Sequence, residues 1–220
     1  MQKEISAIMI VALILTCAVV AVSAAQPAVG VKKGEWVEYH VVAGGSPPAA
    51  QDITWAKIEI LDVEGEQFHA NFTVRYVNGT LSSSGRTFNF TAGDVQAWII
   101  IPANLSPGES FYDSSINSTV TIQGQLVKNV AGANRVVTYT NATSKGLARH
   151  KEWDKATGFY IQSVDNIGTY TINANAYATN IWSPQILELN QPQFYTIIAV
   201  VVAVVLIILI LITARKRKKT

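Results

Sequence analysis

Between residues 30 and 185, apolar and polar residues alternate with a period of two in segment after segment, and no helical periodicity interrupts them. In FHANFTVRYV, Phe68, Ala70, Phe72, Val74 and Tyr76 fall on one side of a strand, and His69, Asn71, Thr73 and Arg75 on the other. RTFNFT repeats the device, with Phe88 and Phe90 inward and Thr87, Asn89 and Thr91 outward, and Asn78-Gly79 supplies a hairpin signal between the two. Further strands are predicted over 35–43, 53–63, 97–101, 118–128, 134–141, 147–153, 159–165 and 168–182. The joins are short and turn-coded, such as Glu64-Gly65-Glu66 and Asp154-Lys155-Ala156-Thr157-Gly158. Tight turns between consecutive strands favour an antiparallel meander, so the expected class is all-β, curled into a barrel, half-barrel or sandwich.

The two ends break this pattern. Residues 5–22 are uncharged, follow Lys3 and close in VSAAQ, where small residues could satisfy a signal peptidase; residues 1–25 read as a secretory leader, or as an uncleaved signal anchor. Residues 194–214, FYTIIAVVVAVVLIILILITA, form a run of 21 uncharged positions, about 31 Å of helix. Arg215, Lys216, Arg217, Lys218 and Lys219 follow at once, the cationic block expected on the cytoplasmic side of a single span. The expected organisation is an exported all-β domain over 26–182, a Pro-containing tether over 183–193, a C-terminal transmembrane helix over 194–214 in contact with membrane lipid, and a basic tail over 215–220. That places the protein in the cell membrane with its N-terminal domain outside.

Composition sharpens this picture. The whole chain carries a formal charge of +2, but between residues 26 and 193 the 14 acidic residues outnumber the 11 basic ones. A nucleic-acid partner is therefore not expected. The only cysteine, Cys17, lies in the leader, and a domain of this length can bury a sufficient core without disulfides. Six Asn-x-Ser/Thr sequons, at Asn71, Asn78, Asn89, Asn104, Asn117 and Asn141, exceed the roughly two expected by chance and mark candidate glycosylation sites on an exported chain. The other source of such an excess is the Asn and Thr content of β-turns and wet strand faces.

Catalytic patterns are sparse. His40, His69 and His150 stand in no metal-ligand spacing, no cysteine completes a site, and no nucleophile elbow, phosphate loop or dinucleotide fingerprint is present, so no metal, cofactor or enzymatic activity is expected. Asp62, Glu64 and Glu66 could crowd carboxylates at a turn, although hairpin turns of exported proteins often carry such charge. In EWDKATGFYIQ, Asp154 can cap a type I turn and Gly158 can take the positive φ that closes it. The series Tyr170, Ile172, Ala174, Ala176 and Ala178 is expected to point inward. Its small side chains leave either close sheet packing or space for an apolar ligand. A continuous apolar cavity beneath that strand would favour the ligand, and a solid core would remove it.

The pieces GEWVEYHV (34–41), IPANLSPGESFYD (101–113), VAGANRVV (130–137) and EWDKATGFYIQS (152–163) resemble those of uncharacterised archaeal exported proteins with one C-terminal membrane anchor. More distantly, the meander with its D-x-x-T-G hairpin is similar to lipoprotein-carrier half-barrels, which hold acyl chains. The resemblance implies location more than mechanism. The leading expectation is a non-enzymatic, membrane-anchored surface protein whose glycosylated β-domain serves binding or envelope organisation, with a surface protein, glycan or lipid as partner. Its rival is a carrier or sensor of a lipid or other apolar ligand held within the β-domain.

Overall fold

The computed structural model describes residues 28–144, 147–183, 185–186 and 189–217. The leader expected over 1–25 lies outside the described residues, as do Lys218 and Lys219. The chain forms an open antiparallel sheet of nine strands. In chain order the strands are β1 (Trp36–Gly45), β2 (Ile53–Glu64), β3 (Gln67–Tyr76), β4 (Leu81–Asn89), β5 (Ser110–Asp113), β6 (Ser118–Thr121), β7 (Gly124–Val130), β8 (Ala133–Ser144), β9 (Leu147–Asp154), β10 (Tyr160–Asn166) and β11 (Tyr170–Thr179). The large sheet runs β4-β3-β2-β1-β11-β10-β9-β8-β7, two meanders joined where β1 pairs with β11; β5 and β6 form a separate hairpin. Since β4 and β7 are its two edges, the sheet does not close into a barrel.

Alternation decides the faces. Val37, Tyr39 and Val41 of β1, Ile58 and Ile60 of β2, Phe68 and Ala70 of β3 and Phe88 of β4 are buried together on the inner face. Phe68 stacks on its cross-strand partner Phe88 with ring centroids 4.6 Å apart. Each such aromatic is worth about 2 kcal/mol in buried area alone. The inner face is covered by the long insertion between β4 and β7, whose Trp98, Ile100, Ile101, Phe111, Val120 and Ile122 join the same core.

Two strand expectations are corrected there. The run 97–101 is not a strand: Gln96–Trp98 is a 3-10 turn, with Gln96 and Trp98 at positive φ. An unbroken apolar run reports burial without reporting period, and here it is the inward plug of a loop. The single strand expected over 118–128 is two, β6 and β7, which belong to different sheets. A β-bulge corrects a third point. Tyr39 pairs with Ala176 but Glu38 with Ala178, so Tyr177 is extra and Ala178 turns to the outer face with Glu38.

Beyond the domain, two short strands, β12 (Gln185–Ile186) and β13 (Leu189–Asn190), pair just before helix α1 (Gln191–Arg217). The cations Arg215, Lys216 and Arg217 close that helix. Side chains of α1 are described as far as Leu206, and among the described residues no helix is long and apolar enough to cross a membrane. Those side chains include Ile197, Val201 and Val205, all exposed.

Candidate functional site

The insertion is anchored from three directions, and the anchoring leaves a cleft. Trp98 is fully buried; its indole N–H donates to Asp113 at 2.5 Å, and its carbonyl accepts the Trp153 indole N–H at 2.8 Å. Phe111 meets both indoles edge-on, at 6.3 and 6.1 Å. Ile101 N–H donates to the Gly158 carbonyl and Asn104 N–H to the Lys155 carbonyl, tying residues 101–104 to the β9–β10 turn. Asp154 holds that turn: its carboxylate accepts from Thr157 N–H (3.0 Å), the Thr157 hydroxyl (2.8 Å) and Arg135 (2.8 Å). Gly158 has φ +76°, and a Cβ there would fall 1.9 Å from the Ile101 carbonyl oxygen, so glycine is required by both the turn and the docked loop.

Where the docked loop, β5 and the β3–β4 end of the sheet meet, a cleft of about 390 Å³ opens. Its apolar lining includes Phe90, Pro102, Ala103, Leu105 and Phe111, and its polar side chains include Glu66 and Glu109. The size suits a small organic ligand, and the mixture of apolar walls with few polar groups is that of binding pockets generally. A groove of about 440 Å³ at the root of the β3–β4 hairpin is larger, but Ala49, Ala50, Val77, Asn78 and Thr80 along it are all exposed. Buried Phe90, Pro102, Ala103 and Phe111 give the first cleft a desolvated wall that this groove lacks. Neither Glu66 nor Glu109 has an ion-pair partner among the described residues. Glu66 accepts a bond from the Thr91 hydroxyl, and Glu109 accepts from Ser106 N–H at 2.6 Å.

Tyr170, Ile172, Ala174 and Ala176 lie elsewhere, on the inner face of β11, and Ala178 on the outer one. Ala174 is buried, Ala176 pairs with Tyr39, and Tyr39 stacks flat on Tyr160 at 4.2 Å. None of the four clefts described is lined by these residues. Beside them the inner face carries a buried charged group: Lys151 and Arg149 lie 3.7 and 3.6 Å from Asp165. Burial pushes the Lys151 ammonium below its usual range, and the neighbouring Asp165 opposes that shift.

The sequons scatter. Asn78 sits at the exposed β3–β4 hairpin tip, where its Oδ1 caps Thr80 N–H at 2.9 Å. Asn117 is exposed in the β5–β6 turn and Asn104 on the rim of the cleft, both at positive φ. Asn71 and Asn89 are half-buried at the sheet surface, and Asn141 gives its Nδ2 to Gln123 at 3.1 Å. The histidines are separate too: His40 stacks on Tyr177, His69 bonds to Thr87, and His150 lies between Asn141 and Glu152. Of the carboxylate trio, Asp62 faces Lys33 at 3.8 Å and Glu66 turns to the cleft.

Sequence reasoning missed the cleft as such. Its only signal was the Pro- and Gly-punctuated stretch IPANLSPGESFYD, which supplies most of the lining.

No protein-family model matches the chain, and no curated protein matches it. The distantly similar solved structures include these two. One is the siderocalin Ex-FABP, described as functioning through dual ligand specificities: 11% identity, TM-score 0.24, covering 66% of this chain and 70% of that one. The other is the amine binding protein of Rhodnius prolixus in its tryptamine complex: 12% identity, TM-score 0.23, covering 67% of this chain and 63% of that one. At such overlap the likeness carries no argument about a site here.

Proposed function

We propose that this chain is a non-enzymatic binding protein, exported and held at the cell membrane, that carries or senses a small apolar ligand in the cleft between Phe90 and Phe111. The cleft itself carries the reading: it is a cavity of about 390 Å³ walled by buried Phe90, Pro102, Ala103 and Phe111, and the Trp98, Asp154 and Gly158 anchors hold that wall in place before any ligand arrives. Support for the membrane location comes from the 194–214 run with its cationic flank, and from apolar side chains exposed along α1, an arrangement that water disfavours and lipid accepts. The ligand site proposed is the cleft rather than the space beneath 170–178.

A second reading, a glycosylated surface protein in envelope organisation, is favoured by the exposed sequons at Asn78 and Asn117. It is compatible with the first. Native mass spectrometry of the full chain from its own host's membranes tests both. The expected result is a retained apolar molecule that disappears in Leu105→Trp, which fills the cleft, while the variant keeps its melting temperature. Glycan masses that vanish on deglycosylation support the surface role. A ligand-free mass for the wild-type chain, with no apolar compound taken up on addition, overturns the carrier reading.

A further inference from the structure

The charges around the cleft define the chemistry of what it accepts. Among residues lining the cavity, Glu66 and Glu109 are the ionisable side chains of acidic type, and no lysine, arginine or histidine is present. Elsewhere on the domain, some carboxylates have cations beside them. Glu59 has Lys57 at 3.3 Å, Asp165 has Arg149 at 3.6 Å, and Glu152 has Lys128 at 2.6 Å. Glu66 and Glu109 have hydrogen-bond donors instead, the Thr91 hydroxyl and Ser106 N–H, which orient them without bringing a charge. Lys155 reaches the same loop, but its ammonium is bonded to Ser106 Oγ and Gln125 and stands outside the lining.

Phe90, Leu105, Phe111 and Tyr112 line the same cleft. A cation brought there meets two carboxylates and aromatic side chains, both able to attract it. A carboxylate or phosphate would meet two like charges and no donor of positive charge. We infer that the cleft selects an apolar molecule bearing an ammonium group, its ring or chain against Phe90 and Phe111 and its cation between Glu66 and Glu109. This rests on the proposed ligand-binding reading and narrows it to one ligand class.

The test uses three probes of nearly equal shape, 2-naphthylmethylamine, 2-naphthylmethanol and 2-naphthoate, titrated into the full chain, with Leu105→Trp as the blank for detergent partitioning. The amine is expected to bind about fivefold to tenfold tighter than the alcohol, with the acid weakest, the scale of two partly screened ion pairs. Glu66→Gln with Glu109→Gln keeps the Thr91 and Ser106 bonds available and should bring amine and alcohol to equal affinity. If amine and alcohol bind equally in the wild type, the charge assignment is overturned and the cleft stands. If none of the three binds above the Leu105→Trp blank, the cleft reading itself falls, and the inference with it.

Discussion

At the scale of single residues, the most consequential side chain is Asp154. It is fully buried, yet it holds three donors from one neighbouring strand and a turn: Arg135, Thr157 N–H and the Thr157 hydroxyl. Removing it strands a half-buried guanidinium and two donors, so Asp154→Ala should cost about 3–5 kcal/mol, read as a lower urea midpoint. A loss under about 1 kcal/mol would mean that the turn holds without it. The local part of this site was legible, because D-x-x-T-G spacing dictates an acidic turn cap and a closing glycine at positive φ, both of which the structure has. Arg135 was not legible as its partner, since a cross-strand neighbour 19 residues away depends on register. The same limit hid Ala178: a bulge at Tyr177 reverses the side it faces, and nothing in the alternation announces a bulge.

Among the elements, the sheet was largely readable and its cover was not. Strands β1, β2, β3, β8, β9, β10 and β11 lie close to where alternation puts them. In the insertion between β4 and β7, only the short β5–β6 hairpin alternates. The insertion's other apolar residues answer to the sheet beneath them rather than to a period of their own, so Trp98 to Ile101 resembled a strand while forming a plug. This plug also shapes the cleft. Trp98→Ala removes a fully buried indole together with the bond to Asp113, and should cost about 3–5 kcal/mol if the cover folds with the sheet. It should also raise amide exchange across residues 96–122 more than across β1 to β3, measured by hydrogen–deuterium exchange. Uniform loosening would show that the cover is not a separate layer.

For the whole molecule, a pH response follows from the inner face. Burial pushes the phenols of Tyr39 and Tyr160 above their usual range, and Tyr39 donates its hydroxyl to the Tyr160 carbonyl at 2.8 Å. The unfolded chain ionises these phenols near pH 10 while the folded one retains their protons. Their contribution to stability is complete below pH 10 and is lost as pH rises above it toward the folded values. Lys151 acts with the opposite sign, because its folded value lies below 10.5 and the unfolded chain keeps its proton longer. Comparing the wild type with Tyr39→Phe separates the two: the variant should show a shallower fall in urea midpoint above pH 10, and equal slopes would contradict the burial account. The all-β class and the antiparallel pairing of chain neighbours were thus accessible from pattern. The cleft needed tertiary structure, since Glu66, Phe90, Leu105 and Phe111 come together only when the insertion docks.

The central claim, that this cleft is the ligand site, is tested most directly by hydrogen–deuterium exchange on the full chain with and without 2-naphthylmethylamine. Protection confined to residues 102–112 and the segment around Phe90 is the result predicted. Protection centred on residues 170–178, or none at saturating probe, would contradict it.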